Sequence, residues 1–328
     1  MTSQKNNTLN LLKLLAAYMV VFIHILFPGD FGYAMNSIGR FAVPFFFLVS
    51  GFYSYNIDYK RFKKRILSLL HLLAFSFIVY TVLNVVFLVA SGNMEAIAQY
   101  FHQYLSLRTW FDFIVLNQTV SSGHLWYLVA MIYVYLAFYL IAKYKINERI
   151  IFILSFALIA VRWFLGEGIL VFGVEIPAFY LRNFLLMGIP FFAIGMLVRK
   201  YEDKVKRIPL YAVLISITVG VAATLLSRFI IGKNELYLGS LFILFATVVI
   251  FIKYSGKSYP KFLIMIFECS TYIYILHLAI GEAMTIIYSL LGIHNSIIAW
   301  INPILVCLIS TVCASLLNWV AKRIRKNI

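Results

Sequence analysis

Two ionisable side chains, Lys13 and His24, lie in the first apolar stretch of the chain, within LLKLLAAYMVVFIH at residues 11–24. A charged residue at the centre of a bilayer costs about 2.5–3.5 kcal/mol on insertion scales, so an ionisable residue there indicates a functional site by default. His24 is a candidate catalytic base, because an imidazole titrates near neutral pH and accepts a proton from an attacking hydroxyl. The same ring can act as a nucleophile, and the sequence leaves both routes open.

The spacing of Lys13 and His24 places both side chains on one face of a helix. Their separation of eleven residues corresponds to about 1100° of rotation, within about 20° of three full turns, and to about 16 Å along the axis. One face therefore joins a cationic position near one end to a titratable position near the other. The alternative interpretation is that Lys13 extends to lipid headgroups and His24 satisfies a hydrogen bond at the opposite interface.

Three further ionisable residues lie within or beside apolar stretches. His277 lies inside STYIYILHLAIG, and we expect it either to line a pore and position a substrate or to be a buried histidine bonded to a neighbouring carbonyl. Arg40 and Arg182 begin the second and sixth predicted spans, where a guanidinium stabilises an oxyanion, holds a sugar phosphate or contacts headgroups. The sequence contains no cluster of metal-ligand residues and no Gly-rich phosphate loop, so we predict no metal site.

The composition predicts that membrane-spanning helices position these residues. Of the 328 residues, 63% are hydrophobic and 12% are charged, whereas soluble proteins carry about 25% charged residues. We therefore predict an all-α polytopic membrane protein, a single domain over residues 1–328, with about ten transmembrane helices in one bundle. The predicted spans are 9–27, 37–57, 66–90, 123–143, 149–165, 180–199, 209–230, 237–253, 262–291 and 296–320.

Basic residues predict the orientation of these spans. Of the 28 Lys and Arg residues, 22 lie in the terminal segments and the even-numbered loops or in the ends of the spans beside them, and short loops rich in Lys and Arg face the cytoplasm. Both termini are therefore expected to be cytoplasmic, with Lys13 near the inner end of its helix and His24 near the outer end. The net charge of +16 is spread over these short loops. We therefore interpret it as the charge that orients the spans in the membrane, and not as a sign of a nucleic-acid partner.

The longest predicted connection, residues 91–122, is expected on the outer side. Its segment MEAIAQYFHQYL has apolar residues near helical spacing, which is typical of a helix lying on the membrane surface. A lid over an outward-facing cavity is the alternative interpretation.

Several segments, in order along the chain, resemble the acyltransferase-3 family of integral membrane acyltransferases. The second and sixth spans are also similar to the membrane domain that precedes the racemase domain in vancomycin-resistance serine racemases. The segments that carry the resemblance are the Lys-x10-His pair, RFAVPFFFLVSGF (40–52), KRFKKRIL (60–67), HLWYL (124–128), RNFLLMGIPFFAIG (182–195) and STYIYILH (270–277).

The resemblance implies transfer of an acyl group, commonly acetyl, from cytoplasmic acyl-coenzyme A to a hydroxyl of a cell-surface or lipid-linked glycan. It also implies a multi-pass protein of the bacterial plasma membrane. The basic run at 60–65 suits the coenzyme A phosphates, although membrane orientation alone explains that run equally well. The expected site residues are catalytic His24; donor-binding Lys13, Lys64 and Arg65; and substrate-binding Arg40, His124, Arg182 and His277.

The position of Lys13 departs from the family pattern, which has arginine there. Lysine is a point charge, whereas arginine presents a planar fork to phosphate or carboxylate, so the contact differs in geometry or the chain is a divergent member. Two other classes stay open: a transporter or flippase, because polar residues inside a helix bundle also build a transport path, and a module that recognises a small ligand. Thioester turnover by the purified protein distinguishes these classes from an enzyme.

Overall fold

The computed structural model describes residues 6–90, 92, 94–293 and 295–326. The structure is 82% helical and its described residues contain no strand, which confirms the all-α prediction. The helices, in chain order, are α1 (Asn7–His24), α2 (Gly29–Ile38), α3 (Ala42–Phe52), α4 (Tyr59–Ala90), α5 (Met94–Gln103), α6 (Leu107–Leu116), α7 (Trp126–Lys143), α8 (Glu148–Trp163), α9 (Ala178–Leu181), α10 (Ile189–Lys200), α11 (Glu202–Lys206), α12 (Leu210–Ile231), α13 (Leu238–Lys253), α14 (Lys261–Phe267), α15 (Ser270–Leu290) and α16 (Ser296–Lys326).

Eight helical segments of the described chain are long and apolar enough to cross a membrane, which confirms a polytopic membrane protein. Two predicted spans fall outside this set. The helix predicted at 180–199 is interrupted at Arg182 and Asn183, before a π-helical turn that leads into α10, and the one predicted at 237–253 is α13, with 16 residues. The eight segments are Asn7–His24, Gly29–Phe52, Tyr59–Ala90, Gly123–Lys143, Glu148–Gly168, Leu210–Ile231, Ser270–Leu290 and Ser296–Arg323.

The chain divides by its internal contacts into two compact units, here called unit 1 (the described residues of Met1–Phe46 and Tyr201–Ile328) and unit 2 (Phe47–Lys200). In unit 1, α1 packs against α15 and α16, and α12 packs along α13. Cys269 and Cys307 are buried, and both are free thiols, as is Cys313. The core of α1 and α14–α16 contains Leu14, Ala17, Val21, Phe267, Cys269, Ile273, Met284, Val306, Cys307 and Ala314.

The segment Gly29–Phe52 runs from α2 through a short 3-10 turn at Gly39–Phe41 into α3. At Gly39 this turn lies against α1, since an added Cβ would stand 3.0 Å from the Met19 carbonyl oxygen and 3.2 Å from Cγ1 of Ile23. Small residues at such points let two helix backbones approach closely. The turn is therefore held beside the last two turns of α1.

In unit 2, α4 packs along α7, and α8 packs against α10. A glycine again allows a close approach, because a Cβ added at Gly51 of α3 would collide with the backbone carbonyl of Phe192 in α10. Ser50, its neighbour, hydrogen-bonds to the Tyr127 side chain of α7. Close backbone packing and a polar contact thus connect α3 with two neighbouring helices of unit 2.

The long connection between α4 and α7 contains the predicted helix as α5, followed by α6. On α5, the Tyr100 hydroxyl accepts a hydrogen bond from Asn84 Nδ2 of α4 at 3.3 Å and lies 3.0 Å from the Tyr104 hydroxyl. Burial, with the neighbouring Tyr100, raises the pKa of the Tyr104 hydroxyl. These polar contacts hold the helix against α4.

Candidate functional site

The sequence HILFPGD ends α1 at His24 and begins α2 at Gly29. Ile25 is extended, and its N–H donates to the Val21 carbonyl at 2.7 Å, which closes the last turn of α1. Gly29 has a φ of +62°, a left-handed conformation that glycine adopts without a steric penalty. Proline and glycine therefore reverse the chain immediately after His24, and His24 stands at the exposed end of its helix.

His24 packs against His277 of α15. The two ring centroids are 5.3 Å apart with an angle of 43° between the planes. His277 has no exposed surface, whereas His24 is exposed. The approach of the two helices is close here, since a Cβ added at Gly281 would stand 2.6 Å from Cδ1 of Ile25. The structure thus brings together two histidines that are distant in sequence and gives them different environments.

The hydrogen bonds of His277 assign its tautomer. Its Nδ1 lies 2.8 Å from the carbonyl oxygen of Tyr274 and 3.2 Å from that of Ile273. Because carbonyl oxygens only accept hydrogen bonds, Nδ1 carries a hydrogen and donates it, so in the neutral ring Nε2 carries the lone pair. The ring is therefore oriented by its own helix backbone. This is the buried, carbonyl-bonded alternative that the sequence left open.

Lys13 lies eleven residues before His24 on α1 and is partly buried. Glu268, which ends α14, interacts electrostatically with Lys13. Glu268 also accepts a hydrogen bond from Lys322 Nζ of α16 at 2.6 Å, with the two side chains 15% and 52% exposed. Lys13 near Glu268 and His24 near His277 show that α1 and α15 run in the same direction. The ionisable face of α1 therefore contacts the α14–α15 segment both at Lys13 and at His24.

Arg40 lies in the 3-10 turn between α2 and α3 and is buried. Its Nη1 donates to Glu235 Oε2 at 2.7 Å, and its Nη2 donates to Asn36 Oδ1 at 3.1 Å. The helical segment begins at Gly29, eight residues before the predicted start at 37, and Arg40 lies within it. The placement of Arg40 on the outer side stays a prediction.

Asn36 and Glu235 were not identified from the sequence. Asn36 donates through Nδ2 to the carbonyl oxygen of Ile23 at 2.8 Å, in the last turn of α1. Glu235 lies in the connection between α12 and α13, which Tyr237 holds by hydrogen bonds to the Asn234 N–H and the Gly232 carbonyl. An acid in a polar loop carries no local signal, so only its contact with Arg40 identifies it.

A cavity of about 600 Å³ lies in unit 1 between the C-terminal half of α15 and the start of α16. It lies beyond His277 in the direction in which α1 ends at His24, because the two helices run in parallel. Its polar lining groups are hydroxyls and amides, and Tyr288 donates a hydrogen bond to Asn302 at 3.2 Å. The polar lining residues are Thr285, Tyr288, Ser289, Asn295, Ser296 and Asn302.

The expected donor-binding residues Lys64 and Arg65 lie at the start of α4 in unit 2. Lys64 is exposed. Arg65 donates from Nη1 to Ser54 Oγ at 2.5 Å and from Nη2 to the Tyr53 carbonyl at 2.8 Å, and its guanidinium lies 5.7 Å from the Tyr135 ring centroid. Arg65 thus joins the start of α4 to the end of α3, while the Lys64 ammonium stays accessible.

Two expected substrate-binding residues also lie in unit 2. His124 is buried before α7, with Nδ1 at 2.8 Å from Ser122 Oγ and its ring packed edge-on against Tyr80 at 5.0 Å. Arg182 is half-buried at the break after α9, and its side chain has no hydrogen-bond or ion-pair partner among the residues that the structure describes. Across the described part of the chain, no cluster of His, Cys, Asp and Glu is suited to hold a metal ion.

Comparison with known proteins gives one match. A family model described as an acyltransferase domain, that of the acyltransferase-3 family, matches residues 6–319. No curated protein and no solved structure matches the chain. The match includes all the predicted site residues.

Proposed function

We propose a specific reaction for this chain, which belongs to the acyltransferase-3 family of integral membrane proteins. The chain moves an acyl group, acetyl in the simplest case, from cytoplasmic acyl-coenzyme A to a hydroxyl of a cell-surface or lipid-linked glycan. The proposed setting is the plasma membrane of a bacterium, in the cell envelope. The contact of His24 with His277 is the observation that carries the proposal.

The proposed step assigns the proton transfer to His24. Its imidazole accepts the hydroxyl proton while the hydroxyl oxygen attacks the thioester carbonyl carbon. The carbon–sulfur bond then breaks, and the coenzyme A sulfur leaves with the proton that the imidazolium returns, so that the ester and the free thiol are the products. An exposed ring at a helix end suits this task, because both substrates must reach it.

His277 supports this step by orientation. Its Nδ1–H is committed to backbone carbonyls, so the buried ring is held rigidly against His24. A base that acts on an external hydroxyl gains from such a fixed neighbour, because misplacement of a reacting group by about 1 Å costs about a hundredfold in rate. His277 is thus proposed to position the base, and its predicted contact with the acceptor stays a prediction.

Charge favours the Lys13 end of α1 for the donor. Two lysines, Lys13 and Lys322, interact with the one carboxylate of Glu268, so this group of three charges has an excess of positive charge. Coenzyme A carries phosphates, and charge-assisted contacts to phosphate are the strong kind. We assign the donor to the end near Lys13, and the role of the exposed Lys64 in binding phosphate stays a prediction.

Hydroxyls and amides favour the opposite end for the acceptor. The cavity beside Tyr288 and Asn302 presents polar groups that suit a sugar. Thr285 lies eight residues beyond His277 on α15, which is about 12 Å along a helix. A glycan of two or three residues bridges that length, so the acceptor is proposed to enter from this cavity.

Turnover of acetyl-coenzyme A by the purified protein in nanodiscs tests the proposal. Release of free thiol is followed with and without added glycan acceptors for the wild type, His24→Ala and the control His71→Ala, which replaces an exposed histidine of α4. We expect His24→Ala to lose between about a hundredfold and ten-thousandfold in rate, and His71→Ala to stay within about twofold of wild type.

Unchanged turnover in His24→Ala overturns the assignment of the base. Binding of coenzyme A derivatives without turnover by the wild type favours the recognition module. Movement of glycan across vesicles without any thiol release favours the transporter. The three classes are therefore separated with one purified protein, placed in nanodiscs for turnover and binding and in sealed vesicles for transport.

A further inference from the structure

We propose that Asn36 is a positioning residue for His24, held in place by the ion pair of the buried Arg40 with Glu235. This inference rests on the proposed role of His24 as the base. Within unit 1, Glu235 accepts a hydrogen bond from Arg40, and Arg40 donates a second one to Asn36. Asn36 in turn donates to the carbonyl of Ile23, the residue directly before His24.

The C-terminal end of α1 receives a hydrogen bond from α2. The last four carbonyls of a helix have no partner within it. The Ile25 N–H donates a hydrogen bond to the Val21 carbonyl, and the Asn36 side chain of α2 donates one to the Ile23 carbonyl. That carbonyl and the His24 N–H belong to one planar peptide unit. A bond to the carbonyl therefore holds the peptide plane from which the His24 side chain departs.

Position 36 requires a side chain that both accepts and donates hydrogen bonds. Its neighbour Arg40 only donates hydrogen bonds, and the Ile23 carbonyl only accepts them. A side chain there must accept on one side and donate on the other, which an amide does and a carboxylate or hydrocarbon does not. Asn36 is buried, so water does not replace a lost partner. The two neighbours also decide which end of the amide faces which group.

Arg40 and Glu235 form a rigid support for Asn36. Arg40 and Glu235 side chains are 8% and 14% exposed and 2.7 Å apart. The loop that carries Glu235 is connected to α2, because Ser37 donates a hydrogen bond to the Tyr237 hydroxyl at 3.3 Å. Arg40 follows Asn36 by four residues, one turn along the same helical segment. Asn36 is thus fixed from both sides, which a positioning role requires.

Asn36→Asp is the decisive variant. The carboxylate is nearly the same size as the amide and still accepts from Arg40, so the fold is expected to persist, but it has no hydrogen to donate to the Ile23 carbonyl. We expect kcat to fall between about tenfold and a hundredfold, with KM for acetyl-coenzyme A unchanged. Ser216→Ala is the matched control, because it removes a similar bond, to the Phe242 carbonyl at 2.9 Å, elsewhere in unit 1.

A double-mutant cycle shows whether Asn36 acts through His24. In the His24→Ala background, Asn36→Asp should cause no further loss of rate, since the group that it positions is gone. If Asn36→Asp lowers the rate of His24→Ala by the same factor as it lowers that of the wild type, the proposal is overturned. An unchanged kcat in Asn36→Asp alone also overturns it. Ser216→Ala should leave kcat unchanged in the wild-type background.

A readout independent of turnover separates this inference from the proposed function. Diethyl pyrocarbonate modifies exposed imidazoles, and mass spectrometry gives its rate at His24 relative to His71. Asn36→Asp should change this ratio at least about twofold, because the exposure and orientation of a helix-end ring depend on its cap. An unchanged ratio contradicts positioning. A changed ratio with full activity of His24→Ala retains the structural link and rejects the catalytic role.

Discussion

The two ends of α1 each carry an ionisable residue and a nearby ion pair, but the pairs differ in construction. At the His24 end, Arg40 is buried and the Glu235 side chain is 14% exposed, and the arginine connects through Asn36 to the helix backbone. At the Lys13 end, the Glu268 partner is Lys322, whose side chain is 52% exposed. A planar guanidinium with two fixed hydrogen bonds gives rigidity, whereas an exposed ammonium on a flexible stem gives an adjustable charge. The difference fits a chemical step at one end and donor binding at the other.

The sharpest way to break the comparison is to remove Arg40. Arg40→Met leaves the Glu235 carboxylate, whose side chain is 14% exposed, without its cation, so we expect the free energy of unfolding to fall by about 3–5 kcal/mol. Titration with sodium dodecyl sulfate in mixed micelles measures this change. The double variant Arg40→Met/Glu235→Met should regain most of the stability, because the charge is gone. It should not regain turnover, since Asn36 still lacks its donor; full turnover would contradict the link to His24.

A smaller effect is expected for the histidine neighbour. His277→Phe keeps an aromatic ring beside His24 but removes the Nδ1–H that fixes the ring at position 277 to the helix backbone. We therefore expect kcat to fall between about tenfold and a hundredfold. KM for acetyl-coenzyme A should not change. His71→Phe, on exposed surface of α4, is the control for replacement of any histidine. A raised KM with normal kcat would place His277 in binding instead.

The Lys13 end should respond in binding and not in rate. Lys13→Met removes a charge-assisted contact to phosphate worth about 1.5–3 kcal/mol, which raises KM for acetyl-coenzyme A by about tenfold or more. Lys13→Arg should keep KM within about threefold, because the cation remains and the family pattern has arginine there. Steady-state kinetics at two salt concentrations measure both variants. A loss of kcat at constant KM in Lys13→Met would refute donor binding at this end.

The smallest effect is expected for the exposed pair. Lys322→Ala should lower the free energy of unfolding by less than about 1 kcal/mol, because solvent screens an ion pair with a half-exposed lysine. The same micelle titration, beside Arg40→Met, gives the comparison directly. Equal losses in the two variants would show that burial does not distinguish the two ends of α1.

Much of the fold follows from the sequence, because membrane spans are recognisable from long apolar stretches. The helices α1 and α5 lie where the pattern indicates, whereas α4 begins at Tyr59, seven residues before the span predicted at 66–90. The bounds were less accurate where a helix is short or interrupted. The interruption at Arg182 and Asn183 lies inside an apolar segment, and a π-helical turn leaves no signal in hydropathy.

The candidate site was predictable only in part. Three of its residues, His24, Lys13 and His277, are ionisable and lie inside apolar stretches. Because an ionisable side chain inside a membrane is energetically costly, the sequence alone identifies them as candidates. Glu268 carries the same signal, and its pairing with Lys322 supplies the basic partner that such an acid needs. Asn36 has no such signal, because a buried amide is recognised by what stands on each side of it.

The sequence by itself determined the apolar helices and the shared face of Lys13 and His24, because the helical period relates residues that are close along the chain. Only the tertiary structure decided the partners. Arg40 and Glu235 are 195 positions apart, and such contacts arise when distant segments pack, which no local pattern encodes. For the same reason only the packing of α1 against α15 brought His24 to His277.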